Sequence, residues 1–237
     1  KEHQAATYRK PHQGRLCLVL GAGNVNAIPP TDVVYKLFVE GTVCVLKMNP
    51  VNAYLGPLIE QAFAPLIARG FFAVVYGGAE EGGFLVNHPA VDEIHITGSD
   101  KTHDFMVWGP PGPERDARKA RNEPLLKKDI TSELGNISPV IVVPGPWDQA
   151  SLDFQARNTA GMVCNNASFN CTAAKLLVTS RGWSQRQAFL DSLGRSMASG
   201  GVRQAYYPGA EQRWKALVEG RSNVKLIGDA KAGELLA

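Results

Sequence analysis

The sequence predicts an α/β fold whose first part is a doubly wound, mostly parallel sheet. Two observations support this prediction. Apolar runs rich in Val, Ile and Leu recur along the chain, as expected of parallel strands that are covered on both faces. Helical patterns separate the first of these runs, which gives the βαβαβ order of a Rossmann-like sheet. The predicted strands are Arg15–Leu20, Thr42–Lys47, Phe72–Tyr76, Glu93–Thr97, Pro139–Val143 and Lys175–Thr179.

Two helices are predicted between the first three strands. One follows Pro29-Pro30, with Thr31 as its N-cap and with Val33, Val34, Leu37 and Phe38 facing inward. The other covers Val51–Ile67, where apolar residues recur at spacings of three and four. Because each helix joins two strands of the same sheet, this order predicts crossover connections.

Three later segments complete the outline. Helical patterns cover about Trp147–Cys164 and Arg186–Met197. The segment Gly109–Arg121 is rich in Pro, Gly and charge, and it predicts an exposed loop or insertion. Its basic run is expected to be solvated surface.

Composition argues against several classes of partner and site. The formal net charge of +3 is too small to indicate a nucleic-acid or membrane partner. No apolar stretch approaches the roughly 20 residues of a membrane-spanning helix, and no signal-peptide pattern opens the chain, so a cytoplasmic location is expected. The four cysteines lack CxxC spacing and nearby His clusters, which argues against a metal site and a disulfide framework. Cys17 and Cys44 lie in apolar runs and are expected in the core.

Three segments after predicted strands could hold a nucleotide. Gly21-Ala-Gly-Asn-Val-Asn26 follows the first strand, but Asn26 stands where a dinucleotide fingerprint has its third glycine. Lys47 ends the next strand, at an edge where open α/β sheets bind ligands; it could bond ribose hydroxyls or a phosphate, or simply face solvent. Gly98-Ser99 could hold a pyrophosphate oxygen with its hydroxyl and the free helix N–H groups, or merely cap a helix.

A carboxylate and a thiol lie close to other apolar runs. Glu133 lies in Ile130–Pro139, and Cys171 lies in Ser168–Lys175. A carboxylate that accepts a proton and a sulfur that attacks a carbonyl are the minimum set for covalent catalysis at an aldehyde. The pair therefore indicates a candidate base and a candidate nucleophile.

Taken in order, these segments resemble the aldehyde dehydrogenase superfamily over roughly residues 14–180. His88-Pro-Ala-Val-Asp-Glu-Ile-His-Ile-Thr-Gly-Ser99 is close to the family's HPxVDxIxFTGS signature, and Glu133-Leu-Gly-Asn-Ile-Ser-Pro139 resembles its ELGGKSP box. Gly21-Ala-Gly-Asn24 stands where the family has a Pro-Trp-Asn segment. Asn170–Val178 resembles the segment that carries the nucleophile.

The resemblance implies a dinucleotide-binding domain over residues 1–134, incomplete at its N-terminus, and part of an α/β catalytic domain over residues 135–237. It implies oxidation of a small-molecule aldehyde to a carboxylic acid with NAD or NADP as cofactor, and a homo-oligomer for the full-length protein. The family's usual chain is longer at both ends, so a fragment or a truncated member is expected.

The resemblance also implies catalytic roles. Cys171 would attack the aldehyde to give a thiohemiacetal and then a thioester, and Glu133 would activate the water that hydrolyses the thioester. The side-chain amide of Asn24 and the backbone N–H of Cys171 would form the oxyanion hole. Cys164 is a rival nucleophile, since the family's cysteine often follows a Gly-Gln-x run; the Cys-x-A-x-K-x-x-V pattern favours Cys171. Gly23 replaces the family's Trp, which would loosen that side of the substrate tunnel.

A second set of implied roles concerns the cofactor. Lys47 would hold the adenosine ribose, Gly98 and Ser99 would meet the pyrophosphate, and Gly82 would pack near the adenine. Three residues after Lys47, members that prefer NAD often carry a Glu that bonds the ribose hydroxyls. Pro50 stands there in this chain, so NADP is at least as plausible as NAD.

Two other functions stay open on the sequence. In a CoA-acylating aldehyde dehydrogenase or acyl reductase, a thiol rather than water would resolve the thioester, and Glu133 argues against this reading. A non-catalytic nucleotide-binding relative would retain the sheet and lose the chemistry. A Cys171 thiol that reacts faster than the other three would argue against the latter.

Overall fold

The computed structural model describes residues 11, 13–200, 203–227 and 234–235, the last pair by backbone alone. The chain divides into two compact units, Lys1–Gly135 and Asn136–Ala237. This boundary lies one residue beyond the division expected after residue 134. The roles predicted for the two units, a dinucleotide-binding domain and part of a catalytic domain, stay predictions.

The first unit contains a five-stranded parallel sheet. Its strands are β1 (Leu16–Leu20), β2 (Val43–Lys47), β3 (Phe72–Val75), β4 (Glu93–Gly98) and β5 (Asp129–Leu134). They lie in the order β3-β2-β1-β4-β5, and every neighbouring pair is parallel. The predicted doubly wound sheet is therefore confirmed. The strand β5 was not predicted from the sequence, because most of its residues are polar and exposed.

Helices connect these strands. They are α1 (Ile28–Tyr35), which continues as a π-helical turn over Lys36–Glu40, a 3₁₀ helix over Pro50–Leu55, α2 (Gly56–Ala62), α3 (Ala64–Ile67), α4 (Ala79–Asn87), α5 (Asp100–Trp108) and α6 (Pro113–Arg121). None of the helices built from the described residues has the length and apolar character that a membrane crossing requires.

The single helix predicted over Val51–Ile67 is wrong. The segment forms a 3₁₀ helix followed by α2 and α3, and Pro57 and Pro65 each stand in the first turn of a new helix. Proline has no N–H and clashes with the preceding turn, so it breaks a long helix but suits a helix start. Three short helices therefore replace one long one.

Two details predicted for the first helix are also wrong. Thr31 lies inside α1, where its hydroxyl donates to the carbonyl of Ala27 at 2.8 Å, and Ala27 is the N-cap. Val34 and Phe38 are exposed on the outer face, with relative accessibilities of 39% and 52%, while Val33 is fully buried. The inward face is thus narrower than the apolar pattern indicated.

The exposed loop predicted over Gly109–Arg121 is wrong in its second part, which forms α6. Pro113 lies in the first helical turn. Glu114 and Asp116 lie near the N-terminus, and the basic residues cluster in the last turn. Because this order of charges opposes the helix dipole, the charged run stabilises a solvated helix.

The sheet of the first unit is covered by apolar side chains on both faces. Cys17 and Val19 of β1 point into one cluster with Cys44, and Leu18 and Leu20 point into another. Alternate residues of a strand face opposite sides, so a continuous apolar run fills both. Cys17 and Cys44 are 0% and 2% exposed, which confirms their expected place in the core.

The second unit begins with one strand–helix–strand–helix repeat. Its elements are β6 (Ser138–Val142), α7 (Gln149–Cys164), a 3₁₀ turn over Asn165–Ser168, β7 (Ala174–Thr179) and α8 (Arg186–Ser199). β6 and β7 pair in parallel. Then follow β8 (Arg203–Gln204), α9 (Ala210–Val218) and β9 (Glu234–Leu235), with β8 and β9 antiparallel. The expected part of a second α/β domain is confirmed as a fold.

The core of the second unit is aromatic. Trp183 packs edge to face on Trp147, with ring centroids 5.1 Å apart, and Phe189 is fully buried beside both. Leu152 and Ala156 of α7 close the cluster. This packing holds α7 and α8 against the inner face of the two strands.

Candidate functional site

The order in which the chain adds strands to the sheet of the first unit reverses at the centre of the sheet. From β1 the chain moves outward through β2 to β3, and it then returns to place β4 and β5 on the other side of β1. Ligands of open α/β sheets bind outside the carboxyl ends of the strands at such a switch point. In this sheet the switch point lies between β1 and β4.

The predicted residues of the first unit gather at this carboxyl edge. Lys47 is the last residue of β2 and pairs in register with Leu20, the last residue of β1. Gly98 ends β4, and Glu133 pairs with Thr97 near the end of β5. Asn24 follows β1 and is half-buried. Sequence reasoning therefore placed these groups at one edge of the sheet.

Lys47 is a largely buried residue whose ammonium has no direct partner among the described residues. The residue is only 8% exposed, yet its ammonium forms no hydrogen bond and no ion pair within 4.0 Å. Burial lowers its pKa, and the charge of Glu81 opposes that shift. Burial removes part of the hydration of this charge, so the group is suited to an incoming polar or anionic ligand.

Glu81 is a residue that sequence reasoning missed. It stands in the first turn of α4, and its Oε2 accepts a hydrogen bond from the N–H of Gly78 at 2.7 Å. Backbone hydrogen bonds, that of Gly78 among them, and the charge of Lys47 hold the pKa of this exposed carboxyl below its usual range. The charge of Lys47 can act on Glu81 because β3, which leads into α4, lies beside β2. No local sequence pattern shows that these two strands are neighbours.

The loop after β1 is held by two asparagines. A Cβ on Gly23 would lie 2.7 Å from the side chain of Asn49, so the loop leaves no room for a larger residue there. Asn52 is 1% exposed and donates from Nδ2 to the carbonyl of Ala22 at 2.8 Å. Its buried Oδ1 has no partner among the described residues. Asn49 therefore fills space beside Gly23, and Asn52 fixes the backbone that carries Asn24.

Ser99 begins α5 as its N-cap. Its Oγ accepts from the N–H of Lys101 at 3.1 Å, which satisfies one of the free donors of the helix start. Gly82, in α4, has open space around it, since an added Cβ would meet nothing within 4 Å. The roles of Gly82, Gly98 and Ser99 towards a cofactor stay predictions.

The candidate nucleophile lies on an unusual turn in the second unit. Asn166, Ala167 and Ser168 have φ angles of 53°, 50° and 62°, all in the left-handed region. Lys175 donates to the carbonyl oxygen of Ser168 at 2.5 Å and to its hydroxyl at 2.6 Å. Cys171 follows this turn and is half-buried. Three consecutive residues in this conformation are strained, so the turn depends on its contacts.

The rival thiol has a different setting. Cys164 is the last residue of α7 and is half-buried. Burial raises its pKa, and the charge of Arg203 only partly offsets this. A raised pKa reduces the thiolate fraction of Cys164 near neutral pH, and the choice of Cys171 over Cys164 as the nucleophile stays a prediction. Among the described residues no cluster of three or more His, Cys, Asp or Glu could hold a metal ion.

Known proteins of similar sequence are aldehyde dehydrogenases. The chain is 28% identical over 175 residues to N-succinylglutamate 5-semialdehyde dehydrogenase of Novosphingobium aromaticivorans, which covers 73% of this chain and 33% of that protein. It is 30% identical over 165 residues to betaine aldehyde dehydrogenase of Rhizobium leguminosarum bv. trifolii, covering 64% of this chain and 29% of that protein. The chain thus spans about a third of the length of these relatives.

Solved structures share the fold. Aldehyde dehydrogenase C of Pseudomonas syringae, solved with NAD⁺ and octanal, matches with a TM-score of 0.66 and 20% identity over 93% of this chain and 45% of its own. The NADP-dependent glyceraldehyde-3-phosphate dehydrogenase of Bacillus halodurans, solved with NADP, matches with a TM-score of 0.70 and 20% identity over 94% of this chain and 45% of its own.

The family model described as "Aldehyde dehydrogenase family" matches residues 1–208, which include every predicted site residue. The resemblance inferred from the sequence motifs is confirmed, and the chain belongs to the aldehyde dehydrogenase family.

Proposed function

We propose that the complete protein is an NAD(P)-dependent aldehyde dehydrogenase that oxidises a small-molecule aldehyde to a carboxylic acid. The curated relatives are named for aldehydes of different chemistry, one a semialdehyde and one betaine aldehyde. The solved neighbours were obtained with NAD⁺ in one case and with NADP in another. The proposal therefore fixes the reaction class and leaves the aldehyde open.

The proposed binding of a dinucleotide cofactor depends on one observation. Lys47 is a largely buried residue at the carboxyl edge of the sheet beside the switch point, and its ammonium forms no hydrogen bond or ion pair with a described residue. A dinucleotide offers ribose hydroxyls and phosphate oxygens, which are acceptors for such a donor. The residues present therefore fit the group.

Neighbouring residues support the same ligand. Gly82 leaves open space in α4, Gly98 ends β4, and Ser99 caps the start of α5 at the same edge. A helix N-terminus has free N–H groups and a positive dipole end, which suit a pyrophosphate. We assign the ribose to Lys47, the pyrophosphate to Gly98 and Ser99, and the adenine side to Gly82.

The nucleophile of the proposed reaction is Cys171. After the thiol proton passes to solvent, the sulfur forms a bond to the carbonyl carbon of the aldehyde while the π electrons of the C=O bond move to oxygen. The side-chain amide of Asn24 and the backbone N–H of Cys171 donate to that oxygen and stabilise its negative charge. A bound oxidised nicotinamide would accept the hydride that leaves this carbon as the C=O bond re-forms, which leaves a thioester on Cys171.

Glu133 completes the proposed reaction as the general base. Its carboxylate takes a proton from water, the water oxygen attacks the acyl carbon of the thioester, and the sulfur of Cys171 leaves as thiolate. The proton held by Glu133 then passes to the thiolate, so the products are a carboxylic acid and the regenerated thiol of Cys171. Glu133 is exposed at the end of β5, so water can reach it.

The test is turnover in the complete protein. Purified protein is supplied with a panel of aliphatic, aromatic and ammonium-bearing aldehydes and with NAD⁺ or NADP⁺. Reduced cofactor is followed by absorbance and the acid by mass spectrometry. Equal amounts of reduced cofactor and free acid without CoA are expected. Product that forms only with CoA would replace the proposal by the acylating reaction, and no product with any aldehyde would support a binding-only relative. The expected cytoplasmic location and homo-oligomer stay predictions.

A further inference from the structure

The buried cation at the cofactor edge is influenced by one particular carboxylate. Glu81 is the group whose charge acts on Lys47 and favours its protonated form. The influence is mutual, since Lys47 also favours the ionised form of Glu81. The geometry agrees with this: Lys47, the last residue of β2, pairs with Val75, the last residue of β3, and the helix α4 that carries Glu81 in its first turn follows β3.

The two groups do not form a direct ion pair. No contact within 4.0 Å joins the ammonium of Lys47 to the carboxylate of Glu81, although both residues lie in the described part of the chain. A donor and an acceptor separated in this way can bind a hydroxyl group between them. The ammonium donates to the hydroxyl oxygen, and the carboxylate accepts the hydroxyl proton.

The carboxylate of Glu81 is held in place by its own helix. The bond from the N–H of Gly78 to Oε2, at 2.7 Å, anchors it in the first turn of α4. The N-terminal end of a helix favours a negative charge, so the carboxylate stays ionised there. Its position is thus set by the fold and does not require a bound ligand.

We propose that Glu81 makes the cofactor site select NAD over NADP, by accepting a hydrogen bond from the 2′-hydroxyl of the adenosine ribose and repelling a 2′-phosphate. The inference depends on the proposed cofactor site at Lys47. It changes the expectation drawn from Pro50, because a carboxylate from α4 takes over the role that the residue three positions after Lys47 plays in members that prefer NAD. An acidic residue on the ribose is the general device by which dinucleotide sites prefer NAD.

Charge arithmetic predicts the direction of the preference. Lys47 alone would attract the two negative charges of a 2′-phosphate, whereas Glu81 opposes them with a charge of its own. At a few ångströms and an effective dielectric between that of a protein surface and that of water, such a repulsion corresponds to about a tenfold to hundredfold change in affinity.

The test measures binding rather than turnover. Dissociation constants for NAD⁺ and NADP⁺ are determined by isothermal titration calorimetry on the complete protein, on Glu81→Gln and on Glu80→Gln. The amide oxygen of Gln can still accept from the N–H of Gly78, so the helix start is kept. Glu80 is the neighbouring acid in the same first turn and serves as the matched control.

The wild-type protein and Glu80→Gln should bind NAD⁺ about tenfold or more tightly than NADP⁺. Glu81→Gln should lose that preference, mainly through tighter binding of NADP⁺. The inference is overturned if the wild-type protein binds NADP⁺ as tightly as NAD⁺, or if both variants shift alike. In these two cases the proposed cofactor site still stands. Absence of binding by both dinucleotides would overturn the proposed function as well.

Discussion

Lys175 ties the strand β7 to the turn that precedes Cys171, by donating to both the carbonyl oxygen and the hydroxyl of Ser168 at 2.5 and 2.6 Å. Ser168 is the third of three successive residues in the left-handed region. Asparagine adopts this conformation fairly readily, but for Ala167 and Ser168 it costs roughly 1–2 kcal/mol each relative to ordinary backbone. The turn therefore needs contacts of this kind to keep its shape.

Replacing Lys175 by Met should loosen this turn. The variant loses two charge-assisted hydrogen bonds while most of the side-chain volume is kept, so the backbone amides over residues 166–171 should exchange with deuterium about tenfold faster. Hydrogen exchange with mass spectrometry measures this. Lys225→Met, which changes an exposed lysine of the same unit, should leave the exchange as it is. Equal protection in both variants would show that Lys175 does not hold the turn.

Replacing Lys47 by Met should weaken dinucleotide binding and at the same time raise the melting temperature. Loss of the ammonium should weaken dinucleotide binding by about tenfold or more, as expected for a charged hydrogen bond. Burial lowers the pKa of Lys47, so below its ordinary value of 10.5 the unfolded chain holds this proton more tightly than the native one. Stability linked to this group falls as the pH falls from 10.5 through the lowered native pKa and stays at that lower level at neutral pH, so the variant should melt at a higher temperature there.

Titration calorimetry and thermal melts at neutral pH test both halves of this prediction. Lys127→Met, at an exposed lysine of the same unit, should change neither value. A lower melting temperature for Lys47→Met, with unchanged dinucleotide binding, would mean that Lys47 is a structural residue.

The two core cysteines should resist modification. Burial raises the pKa of Cys44 to about 12, and it also raises that of Cys17. Near pH 8 a disulfide reagent should therefore modify only Cys164 and Cys171 in the native protein, with Cys171 the faster, and all four after unfolding. Peptide mapping assigns the labels. Rapid native labelling of Cys17 or Cys44 would contradict the buried parallel sheet.

The same burial predicts a loss of stability at alkaline pH. Between an ordinary thiol pKa of 9.0 and about 12, the unfolded Cys44 thiol ionises while the native one keeps its proton. The contribution of this thiol to the free energy of unfolding is fully present below the unfolded pKa of 9.0. It falls as the pH rises above that value, by up to about 1.4 kcal/mol per pH unit for one thiol. Urea unfolding over this range should show a flatter dependence for Cys44→Ala. An identical slope in both proteins would rule out this contribution.

The aromatic cluster should dominate the stability of the second unit. Trp183 is 7% exposed, packs on Trp147, and donates from Nε1 to the carbonyl of Gly145 at 3.1 Å. Trp183→Ala should cost about 3–5 kcal/mol, and Trp183→Phe should lose mainly the hydrogen bond, about 1 kcal/mol. Urea unfolding followed by circular dichroism gives both values. Trp214→Ala, in α9 at a half-buried position, should cost less than Trp183→Ala; an equal cost would argue against a dominant cluster.

The sequence predicted the inner strands well, because buried parallel strands are continuous apolar runs. β1, β2 and β4 depart from prediction by at most one residue at either end. β5 lacked this signal, since Asp129–Leu134 is an edge strand with polar, exposed residues. The helix over Val51–Ile67 failed because the apolar spacing outweighed the prolines that interrupt it.

A residue of the candidate site was predictable from the sequence where it stands at the end of a predicted strand. Lys47 and Gly98 were found this way, because a strand end fixes the edge on which a residue lies. Glu81 and Asn52 were missed, since their importance depends on which strands and loops become neighbours. The left-handed turn before Cys171 gave no local signal either, because Ala167 and Ser168 rarely adopt that conformation.

Aldehyde-dependent reduction of the cofactor by Cys171→Ala and Cys164→Ala variants of the complete protein is the most direct test of the proposed chemistry. Both variants remove one half-buried thiol from the same unit, so Cys164→Ala is a matched control. Cys171→Ala should lose activity by about a thousandfold or more, because the covalent intermediate cannot form. Cys164→Ala should keep activity within about threefold of the wild-type protein. Retained turnover in Cys171→Ala, or loss only in Cys164→Ala, would contradict the assignment of Cys171 as the nucleophile.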